Sequence, residues 1–431
     1  MASTYLTRTP STAGNRKTWT YSAWFKISDI STAVKRLFTS YDGSTASNQS
    51  TISLGGGSAY ALQIYNAPSG SASINLITNR LFRDCNAWYH IVVAVDTTQA
   101  TGSNRVKLYV NGVQETSFST ETYGSQNEDF FINSTNLHTI GRRQDNSQYF
   151  DGSMSHVHFI DGTAYDASYF GSTDATTGEW KINTNPNVTY GTNGFFILKD
   201  GNSVTDQSPN TNNFTVGGGT LTKTEDNPSN VFCTLNRNIV QAGGVSGRHA
   251  NVSASLDNGN TTAGEGTGVF SNQLGTIFAS SGKYYAECKF GGDQYCHFGV
   301  TSPNFSDASL GSYPGDGISG VNSAGIYGNG GIARCNGATI FTDSNITTDT
   351  ICLAMDLDNG ALYIRRNDGS WMNSGNPESG ATKTGAITLP SDTYSWIVTS
   401  HNNSGSGRNY MKVNFGNGYF GTTAVSSAGT N

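Results

Sequence analysis

Asn111-Gly112 sits between two strand-like runs, RVKLYV and VQETSF, and little but a β-hairpin can be built from that arrangement. Both residues tolerate positive φ, which a type I′ turn demands at its two central positions, and the turn's twist matches that of antiparallel strands. A helix through this stretch is excluded. The same two-residue period recurs in the first half. TWTYSAWFK places Trp19, Tyr21, Ala23 and Phe25 on one side of a strand, and YALQIY repeats the alternation with Tyr60, Leu62 and Ile64. In WYHIVVAVD, Tyr89, Ile91, Val93 and Val95 share one face while Val92 and Ala94 line the other, which predicts a central strand covered on both sides. Trp19, Trp24, Trp88 and Trp396 fall inside strand patterns and read as core.

Beyond residue 231, KYYAECKF, YCHFGV, ICLAMDLD-NG-ALYIRR, YSWIV and MKVNF have strand length, with turns at Asp358-Asn359-Gly360 and Asn367-Asp368-Gly369. Glycine (52 residues), Tyr and Phe (21 each) and only 13% charged residues favour strands and tight turns. A chain of 431 residues exceeds the roughly 250–300 that one core serves. No repeat of roughly 20–50 residues runs through it, which argues against a propeller or solenoid. The expected fold is all-β, two antiparallel β-sandwich (jelly-roll) domains in tandem. Their bounds are set at 1–200 and 231–431, joined by a polar Gly/Asn/Pro-rich linker over 201–230 that lacks periodicity.

A net charge of -6 and the absence of a dense Lys/Arg cluster argue against nucleic acid as a partner. Cys85, Cys233, Cys288, Cys296, Cys335 and Cys352 form no C-x-x-C pair and read as reduced, buried small hydrophobes, with a Cys288–Cys296 bridge left open. No apolar segment follows Met1, so a secretory signal is not expected. No apolar run approaches the ~20 residues that span a bilayer, so membrane insertion is not expected either. Asn-x-Ser/Thr triplets such as Asn187-Val188-Thr189 and Asn213-Phe214-Thr215 arise by chance in a chain this rich in those residues.

A sandwich glycosidase needs two carboxylates facing across a cleft, and no clustered Glu/Asp motif offers them. Glu115, Glu121, Glu128 and Asp129 are scattered, and the strand Lys283–Phe290 carries Glu287 alone. No G-x-S-x-G elbow and no phosphate-cradling glycine loop occurs. No catalytic residue is assigned. His156-Val157-His158 places two rings on one strand face, but without Cys or Glu at ligand spacing no metal is assigned there. Calcium is the more serious candidate cofactor: Asp42, Asp145, Asn146 and Asp151 lie in loops of suitable oxygen-rich composition, although such residues also populate turns by bonding local backbone. Ligand contact would use exposed aromatics, and Tyr123, Tyr149, Tyr313, Tyr327 and Trp371 are the loop residues proposed for it.

Through TYSAWFK, AWYHIVVAVDTT, VKLYVNGV and IGRR…YFDGSMSHVHFIDG, residues 1–200 resemble the laminin-G-like, concanavalin-A-like jelly-roll family. That resemblance implies a fold but no single activity, since the sandwich hosts lectins, adhesion modules, enzymes and structural units. Residues 280–420 resemble a SPRY-type sandwich through SGKYYAECKF, HFGVTS, DTICLAMDLDNGALYIRRNDGSW and VNFGNGYF, which implies recognition of a partner through loops at one end. The combination, with FIDGTAYDASYFG…GEW…YGTNGFFILKD…DQSPNTNNF…DNPSNVFCTLN, is similar to virion structural proteins of tailed bacteriophages. It implies a non-enzymatic tail-fibre, appendage or capsid-surface protein on the virion exterior. The implied partners are other virion proteins and host-surface glycans, and the implied state is a homo-oligomer, a trimer for a fibre. Two alternatives stand beside it: a purely structural capsid or tail subunit without a host ligand, and a tail-associated glycan-degrading enzyme.

Overall fold

The computed structural model describes residues 3–28, 32–43, 48–199, 203–236, 255–257, 259–264, 270–292, 295–305, 313–401, 410–421 and 423–425. The chain divides into two units, Met1–Val231 and Phe232–Asn431. Each is built from antiparallel sheets among the described residues, so the all-β expectation holds.

In unit 1 the larger sheet has eight strands among the described residues. In spatial order they are Phe118–Tyr123, Ile74–Leu81, Ala61–Ala67, Gln49–Leu54, Lys35–Tyr41, His138–Ile140, Tyr5–Arg8 and Thr215–Gly218. The facing sheet runs Phe195–Ile197, Gly152–Asp161, Thr18–Ile27, Tyr89–Asp96, Val106–Val110 and Val113–Glu115. Its two long central strands pair without a break from Thr18 opposite Asp96 to Phe25 opposite Tyr89. Strand alternation then sends Trp19, Tyr21, Phe25, Ile91, Val93 and Val95 into a core shared with Phe38, Ile52, Ile64 and Leu76 of the larger sheet. Tyr21 stacks on Phe38 across the layers, ring centroids 5.1 Å apart. On the outward side Val92 and Ile160 pack under Ala167 and Phe170, so the Tyr89–Asp96 strand is covered on both faces as its sequence predicts.

The hairpin tip adopts the expected left-handed conformations, with φ of 46° at Asn111 and 82° at Gly112. A Cβ on Gly112 would lie 2.3 Å from the Trp180 ring, so the indole rests directly on the turn. Trp180 belongs to the hairpin Gly171–Thr173/Trp180–Ile182, part of the segment that covers this face.

Residues 203–230, read from sequence as part of a linker over 201–230, belong instead to unit 1, as does Val231. A few side chains fold this polar stretch onto the sandwich. Asp206 accepts backbone N–H bonds from Phe196, Ser208 and Asn212 at 2.7–2.8 Å. Phe214 enters the core against Phe195, centroids 4.7 Å apart, and Thr215–Gly218 pairs with Tyr5–Arg8. Asp226 closes the segment, accepting from Lys26 Nζ at 3.0 Å and Trp88 Nε1 at 3.1 Å. The first compact unit thus ends at Val231 and not at residue 200.

In unit 2 one sheet runs Ser255–Asp257, Thr262–Gly264, Met411–Asn414, Lys283–Lys289, Thr350–Asp356, Ala361–Arg366 and Ile387–Thr388. The other runs Phe270–Leu274, Ser395–His401, His297–Thr301, Ser323–Tyr327, Ile332–Cys335 and Ala338–Phe341. Leu353, Met355, Ile364 and Val413 of the first meet Phe298, Val300, Ile326 and Val398 of the second in one core. All six cysteines are buried and none forms a disulfide, so the Cys288–Cys296 bridge is not formed. Among the described residues no helix is long and apolar enough to cross a membrane.

The Lys26–Asp226 pair tests the reassignment of the linker, because both side chains are nearly sealed from solvent (5% and 7% exposed). Asp226→Ala leaves the ammonium buried without its carboxylate and is expected to cost unit 1 about 3–5 kcal/mol in urea unfolding followed by tryptophan fluorescence. A loss below about 1 kcal/mol, the scale of an exposed pair, contradicts the assignment.

Candidate functional site

The strand His297–Thr301 sends Phe298 and Val300 into the core of unit 2 and turns His297 and Gly299 outward. Antiparallel register sets His297 opposite Tyr327 and Gly299 opposite Gly325. The glycine pair lets the chain at 313–316 lie flat on the sheet: Cβ atoms built there would come within 2.9 and 3.1 Å of Pro314 Cβ. Gly315 N–H donates to Ser323 Oγ at 3.0 Å, and its carbonyl accepts from Gly337 N–H at 2.8 Å. Pinned in this way, the Tyr313 ring stacks on His297 at 4.0 Å and 17°. Tyr327 stacks on the same imidazole at 4.5 Å and 9°. Tyr295 extends the group, 6.2 Å from Tyr327. Arg334 Nη1 donates to the Tyr313 hydroxyl at 2.6 Å. Burial pushes the Tyr313 hydroxyl pKa up, and the Arg334 charge pulls it back.

His297 is buried, and Tyr313, Tyr327 and Arg334 are half-buried. The arrangement presents flat, pre-oriented aromatic surface and a guanidinium on a rigid sheet, suited to the C–H face of a ring and to acceptor oxygens. The sequence singles out Tyr313 and Tyr327; it does not single out Tyr295, His297 or Arg334. The period-two spacing of Tyr295 and His297 in YCHFGV contains the signal, since it puts both on the same face.

The other three sequence-chosen aromatics do not join this group. Trp371 bridges to Arg365, whose guanidinium lies 5.1 Å over its ring. Arg365 Nη2 donates to Tyr285 Oη at 3.0 Å, on the outward face of the seven-stranded sheet. Tyr123 ends an edge strand and donates to Glu121 at 2.7 Å. Tyr149 lies 6.2 Å from Tyr5 in unit 1. Tyr123 and Tyr327 are therefore strand residues and not loop residues, a correction to the sequence reading.

His156, at φ 48°, lies in a β-bulge between Ser155 and His158, and the rings of His156 and His158 both pack on Phe196. Each has a protein partner: His156 Nδ1 lies 2.7 Å from Ser155 Oγ and His158 Nδ1 2.9 Å from Tyr190 Oη. His90 stacks on Trp24 at 4.8 Å and accepts at Nδ1 from Trp180 Nε1 at 3.0 Å. Its proton is therefore on Nε2, directed at Ser22 Oγ 2.9 Å away. No group of three or more His, Cys, Asp or Glu suited to a metal occurs among the described residues.

Of the loop residues considered for calcium, Asp42 accepts from Asn48 Nδ2 at 2.8 Å, and Asp145 accepts from Ser147 and pairs with Arg143 at 3.6 Å. Asn146 takes a left-handed turn conformation (φ 62°), and the Asp151 carbonyl accepts from Ser28 N–H at 3.0 Å. These are the local bonds by which such residues build turns. The buried carboxylates have structural donors. Glu287 accepts from Tyr285 at 2.8 Å and Asn414 at 3.1 Å, and Asp161 from Asn15 N–H and Asn133 Nδ2 at 2.7 Å.

Residues 2–168 match the family described as the concanavalin A-like lectin/glucanases superfamily, which agrees with the jelly-roll architecture of unit 1. Among curated proteins nothing matches the chain. Solved structures with a likeness include the SPRY domain of human HERC1, at 15% identity and a TM-score of 0.29, covering 37% of this chain and 91% of that one. The heptameric SAP-like pentraxin from Limulus polyphemus stands at 15% identity and 0.28, covering 38% and 71%. The TRIM65 PSpry domain stands at 12% and 0.28, covering 42% and 92%. At these scores the likenesses carry no functional argument.

The histidines generate a pH prediction. Burial lowers the pKa of His90 to about 3 and of His138 to about 4, and it drives His158 well below the ordinary value, with His156 lowering His90 and His158 further. Folded values below the unfolded value of roughly 6.5 mean that acid protonates the unfolded chain first, so this stability is complete above that pH and lost as pH falls. Each such histidine removes about 1.4 kcal/mol per pH unit until its folded value is reached. Urea midpoints measured at pH 7 and pH 5 are expected to fall accordingly, and His90→Gln to flatten the slope; equal midpoints contradict the account.

Proposed function

We propose that the chain is a non-catalytic component of the exterior of a tailed-phage particle that contacts host-surface glycans or neighbouring particle proteins through aromatic surface on its sandwiches. The Tyr313–His297–Tyr327 stack with Arg334 carries this reading. A saccharide offers C–H faces to such rings and hydroxyl oxygens to such a guanidinium, and a sheet that already orders the rings lowers the entropy cost of binding. The sequence resemblance to virion structural proteins supplies the setting. One shallow site binds weakly, so repetition matters; a homo-oligomer, a trimer in a fibre, would multiply it by avidity.

Particles assembled with Tyr313→Ala and Tyr327→Ala test the proposal. Adsorption to host cells is expected to drop about tenfold or more, as for a truncated aromatic anchor, with particle composition unchanged. Loss of the protein from the particle would favour a purely structural subunit. Cleavage of host polysaccharide by the purified chain would overturn the non-catalytic reading.

A further inference from the structure

Asn329-Gly330 lies in the turn between the strands Ser323–Tyr327 and Ile332–Cys335 of unit 2. An asparagine before glycine is chemically unsettled: with no Cβ to hinder it, the glycine nitrogen can reach the asparagine's own side-chain carbonyl carbon. Asn111, Asn193, Asn329, Asn336, Asn359 and Asn417 each precede a glycine within the described residues, and Asn258 lies outside them.

Folding holds the side chain of every one of these except Asn329. Asn111 Oδ1 accepts from His90 N–H at 2.8 Å, and Asn193 Nδ2 donates to the Thr12 carbonyl at 2.9 Å and to Asn133 Oδ1 at 3.0 Å. Asn336 Oδ1 accepts from Ser323 N–H at 2.8 Å, and Asn359 Nδ2 donates to Asp356 at 2.8 Å. Asn417 is buried and accepts from Phe415 N–H at 3.2 Å. Two of the attacking nitrogens are engaged as well: Gly337 N–H donates to the Gly315 carbonyl at 2.8 Å, and Gly418 N–H to Asn414 Oδ1 at 3.1 Å.

Asn329 is exposed, and its side chain has no hydrogen-bond partner among the described residues. Gly330 follows at φ 77°, in the first turn of the short 3-10 segment Asn329–Gly331, where amide N–H groups have no acceptor within the helix. A Cβ at Gly330 would meet the Ile332 side chain alone, at 3.6 Å, so nothing crowds the bond. The flanking chain is anchored: Gly328 N–H donates to the Cys296 carbonyl at 2.8 Å, and the Gly331 carbonyl accepts from Asp343 N–H at 3.1 Å.

We infer that Asn329 is a site of spontaneous deamidation, with water as the co-reactant. The Gly330 nitrogen gives up its proton and bonds to Asn329 Cγ; the Cγ–Nδ2 bond breaks, and Nδ2 takes the proton and departs as ammonia, leaving a succinimide. Water then opens the ring at either carbonyl, giving aspartate, or isoaspartate with the chain rerouted through Cβ and Cγ. Either product adds a negative charge to a chain of formal charge -6, in the turn between the strands that carry Tyr327 and Arg334. The site does not depend on what the aromatic stack binds.

Peptide mass spectrometry tests the assignment on the full chain, kept folded in mildly alkaline buffer made with oxygen-18 water while tryptophan fluorescence follows the fold. Deamidation in that solvent adds about 3 Da, whereas deamidation during later digestion in ordinary water adds about 1 Da. Asn329 is expected to convert at least about fivefold faster than each of the five bonded asparagines, with isoaspartate predominating, and the gap is expected to close in urea, where folding no longer holds those side chains. Asn329→Gln should remove the fast label from the peptide that spans the turn. Conversion of Asn329 no faster than that of the bonded asparagines in the folded chain, a gap that persists in urea, or a fast label that survives Asn329→Gln overturns the site.

Discussion

The strands Thr18–Ile27 and Tyr89–Asp96 bury side chains on both of their faces, and the rest of unit 1 is arranged around that requirement. The inward row is met by the larger sheet, as in any two-layer sandwich. The outward row, with Val92 at its centre, needs a second cover, supplied by chain between Ala167 and Trp180. That cover brings indole and imidazole into stacked contact, and hydrogen bonds from Trp180 through His90 to Ser22 fix the tautomer. The acid sensitivity of these groups is thus a by-product of covering an apolar strand.

The rows of alternating residues were legible in the sequence because a strand's two faces are separated by a period of two, which needs no long-range information. Trp19, Tyr21 and Phe25, the double burial at Val92, and the Asn111-Gly112 turn all follow from local pattern. The stretch after residue 200 misled for the opposite reason. Its structure comes from Asp206 closing on distant and local backbone N–H groups, from the single apolar insertion at Phe214 and from an ion pair with Lys26, 200 positions earlier. None of these produces periodicity.

The aromatic residues divide in the same way. Composition could nominate Tyr313 and Tyr327, but it could not show that Gly299 and Gly325 meet across two strands and let Pro314, next to Tyr313, lie against the sheet. Nor does any local pattern connect Arg142 to Tyr5, on whose ring its guanidinium lies, since the two are far apart in sequence. His297, Tyr327 and Arg334 are strand residues positioned by register, and Tyr313 is held on them by the pinned chain at 313–316, so the stack loses little freedom when a ligand arrives.

The absence of disulfides has a further consequence. All six thiols are enclosed, and burial raises the pKa of Cys288, Cys335 and Cys352, so thiolate, the form that oxidant attacks, is scarce. No disulfide fastens one layer to the other, so the fold forms without thiol oxidation. A molecule made this way can fold under cellular reductant and keep the same cross-link-free architecture in air-saturated water, its durability resting on packing and on non-covalent polar contacts such as Lys26–Asp226.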